Sequence, residues 1–416
     1  MKEDNLFEVE SGMGRNFVGN RKTGKWVLAK KGSRKDSIPT LEDFEIGPVR
    51  FTGTRSVLFN ISHACNLSCT YCHVGEGKEN MRMSAKVVEK AVDRVLELPE
   101  DNRQVTFHGS EPLTNFPLIK HAIEYADGGI RWSMQSNGTL FNDDIVSFFK
   151  KHRVGAGISI DGLKCHQDET RPYLGGSSTY KAVVNNIEKV RDELGGLSVI
   201  TVVSKNNVND LQEIAEDFEK RGIYSLRFSP LFPTERNRQD CPDVSTLTRN
   251  VIGVMDKYLQ KLVEDGNALR IMNSTDVLRG IFNEKKTYNC AKCSGSSSHP
   301  LMGIDINGDI YPCDFFWGRD EYKVGNIFEM SLVEALNHPK NFRVYRDISD
   351  VEECMDCDWT MYCGNDCPGG QVMGNGKLTG KDSYCEYNKG MLNFMAGKLP
   401  VLVENGLVEK ILFDRK

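Results

Sequence analysis

The chain reads as an α/β protein built on a parallel sheet, and three observations predict it. From about residue 55 to 232, strand-like and helix-like segments alternate, as successive β-α units with helices outside a sheet would require. The first of these strand-like segments runs directly into three closely spaced cysteines, Cys65, Cys69 and Cys72. A second field of cysteines, from Cys290 to Cys385, follows the alternating region and marks a smaller domain.

Composition sets the outer limits. At 416 residues the chain fits one barrel-sized domain plus a smaller one. A hydrophobic content of 39% and a charged content of 27% suit a globular protein, and a net charge of -5 argues for neither nucleic acid nor an anionic membrane as partner. No signal-type apolar segment opens the chain, and no apolar run approaches ~18 residues, so a cytoplasmic protein that neither enters nor crosses a membrane is expected. Thirteen cysteines is an odd number, and their spacings are short. That combination points to metal binding in a reducing compartment rather than to disulfides.

In order, residues 1–50 hold the alternating stretches Phe7-Glu-Val-Glu10 and Lys25-Trp-Val-Leu-Ala29, with Gly-rich turns expected at 12–19 and at Thr23-Gly24. They predict a β-hairpin or small sheet covering the barrel, and any leader-binding module is then expected in trans or not at all. Residues 51–235 form the barrel domain. Its strands are expected at 56–62, 104–108, 130–135, 154–160, 197–203 and 225–229, with helices at 84–97, 142–152, 179–193 and 209–221 among those between them. Residues 236–285 read as a helical bridge, in which Val251, Val254, Met255, Tyr258, Leu259 and Leu262 recur at helical spacing as a core stripe. Residues 286–395 form the second cysteine domain, and 396–416 a C-terminal segment.

The first cysteine run, Cys65-Asn-Leu-Ser-Cys69-Thr-Tyr-Cys72, gathers three thiols on one loop after a strand. Thiolates hold iron–sulfur clusters, and a four-iron cubane with three protein ligands keeps one iron open to a small molecule. A zinc site completed by His73 is the alternative. With Tyr71 as the aromatic, the spelling C-x3-C-x-aromatic-C resembles the radical S-adenosylmethionine (SAM) enzymes. That resemblance implies a partial (β/α)6 TIM barrel, with SAM chelated to the open iron by its amino and carboxylate groups. It also implies reductive cleavage of SAM to a 5′-deoxyadenosyl radical, the cofactor supplying the radical and the protein the positioning.

Further motifs follow successive strands, at the ends where such barrels carry their active sites. His108-Gly-Ser-Glu-Pro112 resembles the family's Gly-Gly-Glu-Pro, whose backbone and Glu contact the SAM amino group; Gly109, Ser110, Glu111 and Pro112 are the matching residues, and Ser110 would be strained if its position required φ > 0. Met134, Gln135, Ser136 and Asn137, within the stretch leading to Thr139, resemble the ribose-binding segment. Ser159 and Asp161, in Ser159-Ile-Asp161-Gly162, are expected to face the cavity. Arg171, in His166-Gln-Asp168-Glu-Thr-Arg171, is expected to pair with the SAM carboxylate, a structural salt bridge being the alternative. Leu231 is expected against the adenine.

In the second field, Cys290-x2-Cys293 and Gly308-x4-Cys313 precede Cys354-x2-Cys357-x5-Cys363-x3-Cys367-Pro368 and Cys385. Eight thiols suffice for two cubanes, and the run ending in Cys-Pro follows ferredoxin logic, its last Cys reaching the other cluster. A pair of zinc ribbons is the alternative. From Cys293 onward the spacing resembles the SPASM extension of radical SAM peptide-modifying enzymes. By that resemblance Cys290, Cys293, Cys313 and Cys367 hold auxiliary cluster I, and Cys354, Cys357, Cys363 and Cys385 hold auxiliary cluster II, making three [4Fe-4S] clusters with the SAM site. If Cys290 does not ligate, cluster I has an iron open to a substrate thiolate. The phrase from Asn307 through Asp314-Phe-Phe to Ile327 resembles anaerobic sulfatase-maturating enzymes, which implies that Asp314 acts as a general base; a turn-forming Asp is the alternative. Cys165 and Cys241 stand outside both fields as incidental thiols.

The resemblance spans about residues 55–390. It implies an anaerobic radical SAM/SPASM maturase that abstracts a hydrogen atom from a ribosomally made precursor peptide and forms an intramolecular crosslink, a thioether or a carbon–carbon bond. A flavodoxin- or ferredoxin-type protein would supply electrons. Formylglycine formation in sulfatases is the alternative reaction, and an iron–sulfur electron carrier or zinc scaffold the non-catalytic one.

Overall fold

The computed structural model describes residues 5–11, 15–21, 25–30, 56–72, 81–282, 301–342, 351–363 and 367–413. The strands are β1 (Leu6–Val9), β2 (Arg15–Asn20), β3 (Trp26–Lys30), β4 (Ser56–Asn60), β5 (Gln104–His108), β6 (Arg131–Ser136), β7 (Gly155–Ser159), β8 (Ser198–Val203), β9 (Ser225–Pro230), β10 (Arg270–Ile271), β11 (Leu301–Ile304), β12 (Asp309–Tyr311) and β13 (Gly325–Asn326). Strands β4 to β9 pair in parallel with their sequence neighbours, as β-α units demand. Their order makes a mixed α/β molecule with a parallel sheet, open as a partial barrel with β10 and β13 at its two edges.

The sheet does not stop at six strands. The expected helical bridge contains β10, which extends the sheet beyond β9, between the helices Val244–Asp265 and Met272–Phe282. On the other edge β11 pairs in parallel with β4, from Leu301↔Ser56 to Ile304↔Phe59, and β12 and β13 follow it antiparallel. One ten-stranded sheet therefore runs from the barrel into the second cysteine field. A two-residue strand carries too little period-2 pattern to be read from residues alone.

Alternation sorts the barrel strands. Val57, Phe59, Val105 and Phe107 are fully buried under the outer helices, whereas Ser56, Leu58, Thr106 and Gln135 turn toward the lumen. Helix Ala85–Leu96 starts at Ser84, whose Oγ accepts the Val87 amide, and buries Val88, Ala91, Val92 and Val95 at i, i+3, i+4 and i+7. Each fully buried aliphatic side chain contributes ~1.5–3 kcal/mol of transfer free energy. Helix Asp143–His152 is capped the same way by Asn142 and ends at Arg153 in the left-handed region, φ +53. The core stripe on Val244–Asp265 is observed, with Val251, Val254, Met255, Tyr258 and Leu259 buried.

The N-terminal segment forms a three-stranded antiparallel sheet, and two expectations about it are corrected. Part of the stretch expected as a turn is the central strand β2, because Phe17 and Val18 are buried there. Gly19 serves close packing rather than turning: a Cβ there would lie 2.6 Å from the Phe7 ring and 2.8 Å from the Tyr362 hydroxyl. The sheet covers the second cysteine field more than the barrel. Phe17 stacks on Trp359 at 5.8 Å, Phe7 meets the same indole edge-on at 4.8 Å, and Tyr362 donates to the Lys25 carbonyl at 3.0 Å. Among the described residues no helix is long and apolar enough to cross a membrane.

Replacing Phe17 with Ala removes the ring that meets Phe7, Trp26, Trp359 and Tyr362. It is expected to lower unfolding stability by about 3–5 kcal/mol in chemical denaturation.

Candidate active site

The site is assembled at the C-terminal ends of β4 to β9. The loop after β4 carries Cys65, Cys69 and Cys72, and it is held by backbone bonds to the segment after β7. Thr70 N–H donates to the Thr170 carbonyl at 3.0 Å, Ser68 N–H to Pro172 at 2.9 Å, and Leu174 N–H to Asn66 at 3.2 Å. All three thiols line a cavity of about 290 Å³. Burial pushes the Cys69 thiol up, with the Arg171 guanidinium acting against it.

Tyr71 ties this loop to the barrel. Its hydroxyl donates to Asp161 Oδ2 at 2.6 Å and accepts from Arg171 Nη1 at 2.7 Å. Asp161 is fully buried, and its carboxylate also accepts Thr170 Oγ1 at 2.7 Å and the Val202 amide at 3.2 Å. Asp161 was expected to face the cavity; it stands behind the wall, as a buried carboxylate must when protein donors satisfy it. Arg171 does line the cavity. Its Nε is buried with no hydrogen-bond partner among the described residues.

The turn after β5 resolves the Ser110 question. The positive φ falls on Gly109, at +117, and Ser110 is not in the left-handed region. A Cβ on Gly109 would lie 2.3 Å from Asn60 Oδ1, so glycine is required there on two counts. Ser110 lines the cavity, and its Oγ is buried without a partner among the described residues. Glu111 is fully buried. Its carboxylate accepts the Asn137 amide at 2.7 Å, Ser136 Oγ at 2.9 Å and the Leu113 amide at 3.1 Å. Burial pushes its pKa up while these three donors pull it down. In this structure Glu111 braces the β5 turn against the β6 turn, and Pro112 opens the short helical turn that follows.

After β6, Gln135, Ser136 and Asn137 line the cavity. Met134, expected beside them, is 2% exposed in the hydrophobic core, because adjacent strand residues face opposite ways. Asn137 Nδ2 lies 3.9 Å from Cys65 Sγ and 2.9 Å from Asn66 Oδ1. Ser159 lines the cavity and accepts Gln135 Nε2 at 2.8 Å. Leu231 lines it from the end of the barrel, fixed by its carbonyl to the Tyr384 hydroxyl at 2.5 Å.

A second cavity of about 760 Å³ adjoins the first. Asp314, Cys363 and Cys367 line it. His108, quoted within its motif but given no role there, reaches both cavities, and its Nδ1 lies 3.7 Å from Asp314 Oδ2. Its position as the last residue of β5 was the available signal. Cys313 and Cys354 are buried. Cys367 heads helix Pro368–Asn375, its Sγ accepting the Gly370 amide. Burial pushes the Cys385 thiol up, with Lys389 and Lys381 acting against it and Cys357 close by. Cys290 and Cys293 lie outside the described residues. Among the described residues no three His, Cys, Asp or Glu side chains already converge on a metal position. The first loop's thiols instead share a cavity wall with an unpartnered Arg171 Nε and Ser110 Oγ. That donor set fits an iron–sulfur cluster beside a zwitterionic ligand.

Comparison with known proteins identifies two domains. The model of the radical SAM superfamily matches residues 59–218, and that of the SPASM iron–sulfur cluster-binding domain matches 297–358. The chain carries a radical SAM domain and a SPASM domain. It is an enzyme that uses SAM and iron–sulfur chemistry. Curated relatives include the cysteine-type anaerobic sulfatase-maturating enzyme of Clostridium novyi (strain NT), 26% identical over 81% of this chain and 94% of the relative. The serine-type enzyme of Bacteroides thetaiotaomicron is 27% identical over 74% and 81%. Among solved structures, native anSMEcpe with bound AdoMet superposes with a TM-score of 0.72 at 23% identity, covering 86% of this chain and 99% of that one. SuiB of Streptococcus suis, bound to S-adenosylmethionine, gives 0.62 at 15% identity, covering 93% and 100%. At those identities the structures establish the fold alone.

Three substitutions probe the local geometry. Gly109→Ala is expected to lose about 1–3 kcal/mol of stability and to weaken SAM binding in equilibrium titration, whereas Ser110→Ala keeps the backbone and is expected to leave stability within about 0.5 kcal/mol. Tyr71→Phe removes both hydroxyl bonds, and a loss of about 1–3 kcal/mol is expected in thermal or chemical unfolding.

Proposed function

We propose that this enzyme oxidises a residue of a ribosomally made precursor peptide by two electrons, starting with hydrogen-atom abstraction and ending in an intramolecular crosslink, a thioether or a carbon–carbon bond. The observation that supports it best is the shared wall. His108, Gln135, Ile200, Ser229, Pro230, Phe232 and Phe315 border both the cavity of the three thiols and the 760 Å³ cavity beside it. A volume of that size suits a folded-back peptide segment, and only this wall separates it from the cofactor cavity.

In this reading Cys65, Cys69 and Cys72 would hold the SAM-site cluster, while Cys290, Cys293, Cys313 and Cys367 would hold auxiliary cluster I. Cys354, Cys357, Cys363 and Cys385 would hold auxiliary cluster II. When bound, these groups and SAM supply the 5′-deoxyadenosyl radical and an acceptor for the second electron. The protein residues orient and deprotonate. Arg171, charged and buried, receives the SAM carboxylate; Ser110, Gln135, Ser136, Asn137 and Ser159 offer hydrogen bonds to its polar groups, and Leu231 an apolar face. Asp314 takes the substrate proton beside His108, and Phe232 and Phe315 keep water from the junction. A flavodoxin- or ferredoxin-type donor in the cytoplasm reduces the enzyme. SuiB has been solved with its precursor peptide SuiA, and anSMEcpe with the Cp18Cys peptide, which supports a peptide in the corresponding space.

A second reading is favoured by one observation: several curated relatives are sulfatase-maturating enzymes. In it the same abstraction on a Cys or Ser ends in formylglycine. Anaerobic incubation of the reconstituted enzyme with each peptide class separates the two. Loss of two hydrogens with two side chains joined, located by tandem mass spectrometry, is the expected result; an aldehyde that reacts with hydrazine would establish the second reading instead.

Asp314→Asn is expected to lower peptide product by about 100-fold while 5′-deoxyadenosine is still released. Cys69→Ala is expected to abolish SAM cleavage and to lower iron content by one cluster's worth, read by iron assay.

A further inference from the structure

We propose that Asp305 is a positioning residue that locks the auxiliary-cluster hairpin to the SAM-site loop, and so fixes how far Asp314 and Cys313 stand from the radical. Asp305 follows β11 and is 8% exposed. Three donors converge on its Oδ1: Asn60 Nδ2 at 2.8 Å, His63 Nε2 at 2.9 Å and the Ile306 amide at 2.8 Å. Asn60 ends β4, and His63 stands two residues before Cys65. The carboxylate therefore grips both ends of the turn that leads into the thiol loop, across 242–245 residues of chain.

Each grip continues to the site. The Asn60 side chain packs where a Cβ on Gly109 would lie, which sets the turn after β5. The Glu111 amide donates to the Ala64 carbonyl at 3.1 Å, joining that turn to the residue after His63. On its own side, Asp305 closes the β11–β12 turn: its amide donates to the Asp309 carbonyl at 2.9 Å, and its carbonyl accepts the Gly308 amide at 2.8 Å, with Gly308 at φ +80. Strand β12 then leads through Pro312 to Cys313 and Asp314. Beside the parallel pairing of β11 with β4, this triple hydrogen bond ties the hairpin that carries both groups to the segment leading into the thiol loop. A shift of about 1 Å between reacting groups can cost about 100-fold in rate.

The proposal rests on the peptide-oxidation reading for its activity arm only. Wild type, Asp305→Ala and Asp305→Asn are reconstituted anaerobically and matched for iron content. Because all three donors meet on one oxygen, Asn at 305 retains the acceptor and Ala removes it. With Asp305→Ala the ratio of modified peptide to 5′-deoxyadenosine is expected to fall at least about tenfold. The power saturation of the SAM-site cluster's paramagnetic signal, which reports its spacing from the auxiliary clusters, is expected to shift. Asp305→Asn is expected to restore both. Should Asp305→Ala hold full iron and keep the wild-type ratio and saturation, the proposal is overturned. Should Asp305→Ala fail to fold, His63→Phe removes a single donor and is expected to give a partial fall and a partial shift; wild-type values there would overturn it. If the wild type modifies no peptide, the reaction reading fails, and the saturation measurement still decides on Asp305.

Discussion

Strand β11 lies against β4 in parallel register, and the placement of every reactive group depends on that pairing. All five residues of β4 are buried, because the strand has β5 on one side and β11 on the other, helices behind it and the lumen in front. A strand enclosed on every side has one register available to it, since a slip by one residue would turn Val57 and Phe59 into the lumen and Ser56 into the core. The thiol loop at its end inherits that precision. So does the hairpin that carries Cys313 and Asp314, because it is the continuation of β11. The two halves are thus registered through one ladder of backbone hydrogen bonds rather than through a mobile interface.

Charge is handled inside this frame by saturation. Glu111 and Asp161 are both fully buried carboxylates, and isolated they would be prohibitively unfavourable. Each instead collects protein donors from two or three loops, so each works as a rivet between loops. Arg171 differs. Burial disfavours its charge, but the Tyr71, Cys69 and Asp161 groups outweigh burial and hold its pKa well above the ordinary value. A guanidinium kept charged against a cavity, with Nε unpartnered among the described residues, is the feature of the wall best suited to a carboxylate ligand. The site therefore separates residues that hold loops from residues that face the ligand, although the motif spellings present both kinds side by side.

That separation explains what was legible in the residues and what was not. The six central strands were legible because each pairs period-2 alternation with a helical stretch of normal length. The three-cysteine loop was legible because its spacing is local. Asp161, Glu111 and Met134 were misplaced by the same logic: a motif names a stretch, whereas exposure to the cavity is settled residue by residue through pleat direction and turn geometry. Strands β10 and β11 were not legible, since strands this short owe their conformation to a neighbour far away in sequence. Strand β2 was obscured by Gly19 and the glycines that precede it, which elsewhere signal turns; Gly19 is there because Phe7 and Tyr362 leave no room for a side chain.

The size of the larger cavity follows from what the barrel strands turn inward. A closed (β/α)8 barrel fills its lumen with layers of branched side chains. Here the inward positions include Ser56, Thr106, Ser133, Gln135 and Ser198, and β7 presents Gly155 and Gly157. Ser56, Thr106 and Ser133 satisfy one another through hydroxyl hydrogen bonds of 3.1 and 2.8 Å, so this polar row needs no ligand to be stable. Gln135 needs the absence of a side chain on β7, since a Cβ on Gly157 would lie 2.3 Å from its Oε1. Small inward residues keep the lumen open, and β10 and β13, the two edges of the sheet, do not pair to close it. The lumen pairs this polar row with apolar side chains such as Leu58, Ile200, Phe228 and Phe232, a mixed lining that suits both the backbone and the side chains of a peptide. The composition of the inner row, as much as the cysteine spacing, is what directs the proposed chemistry toward a peptide.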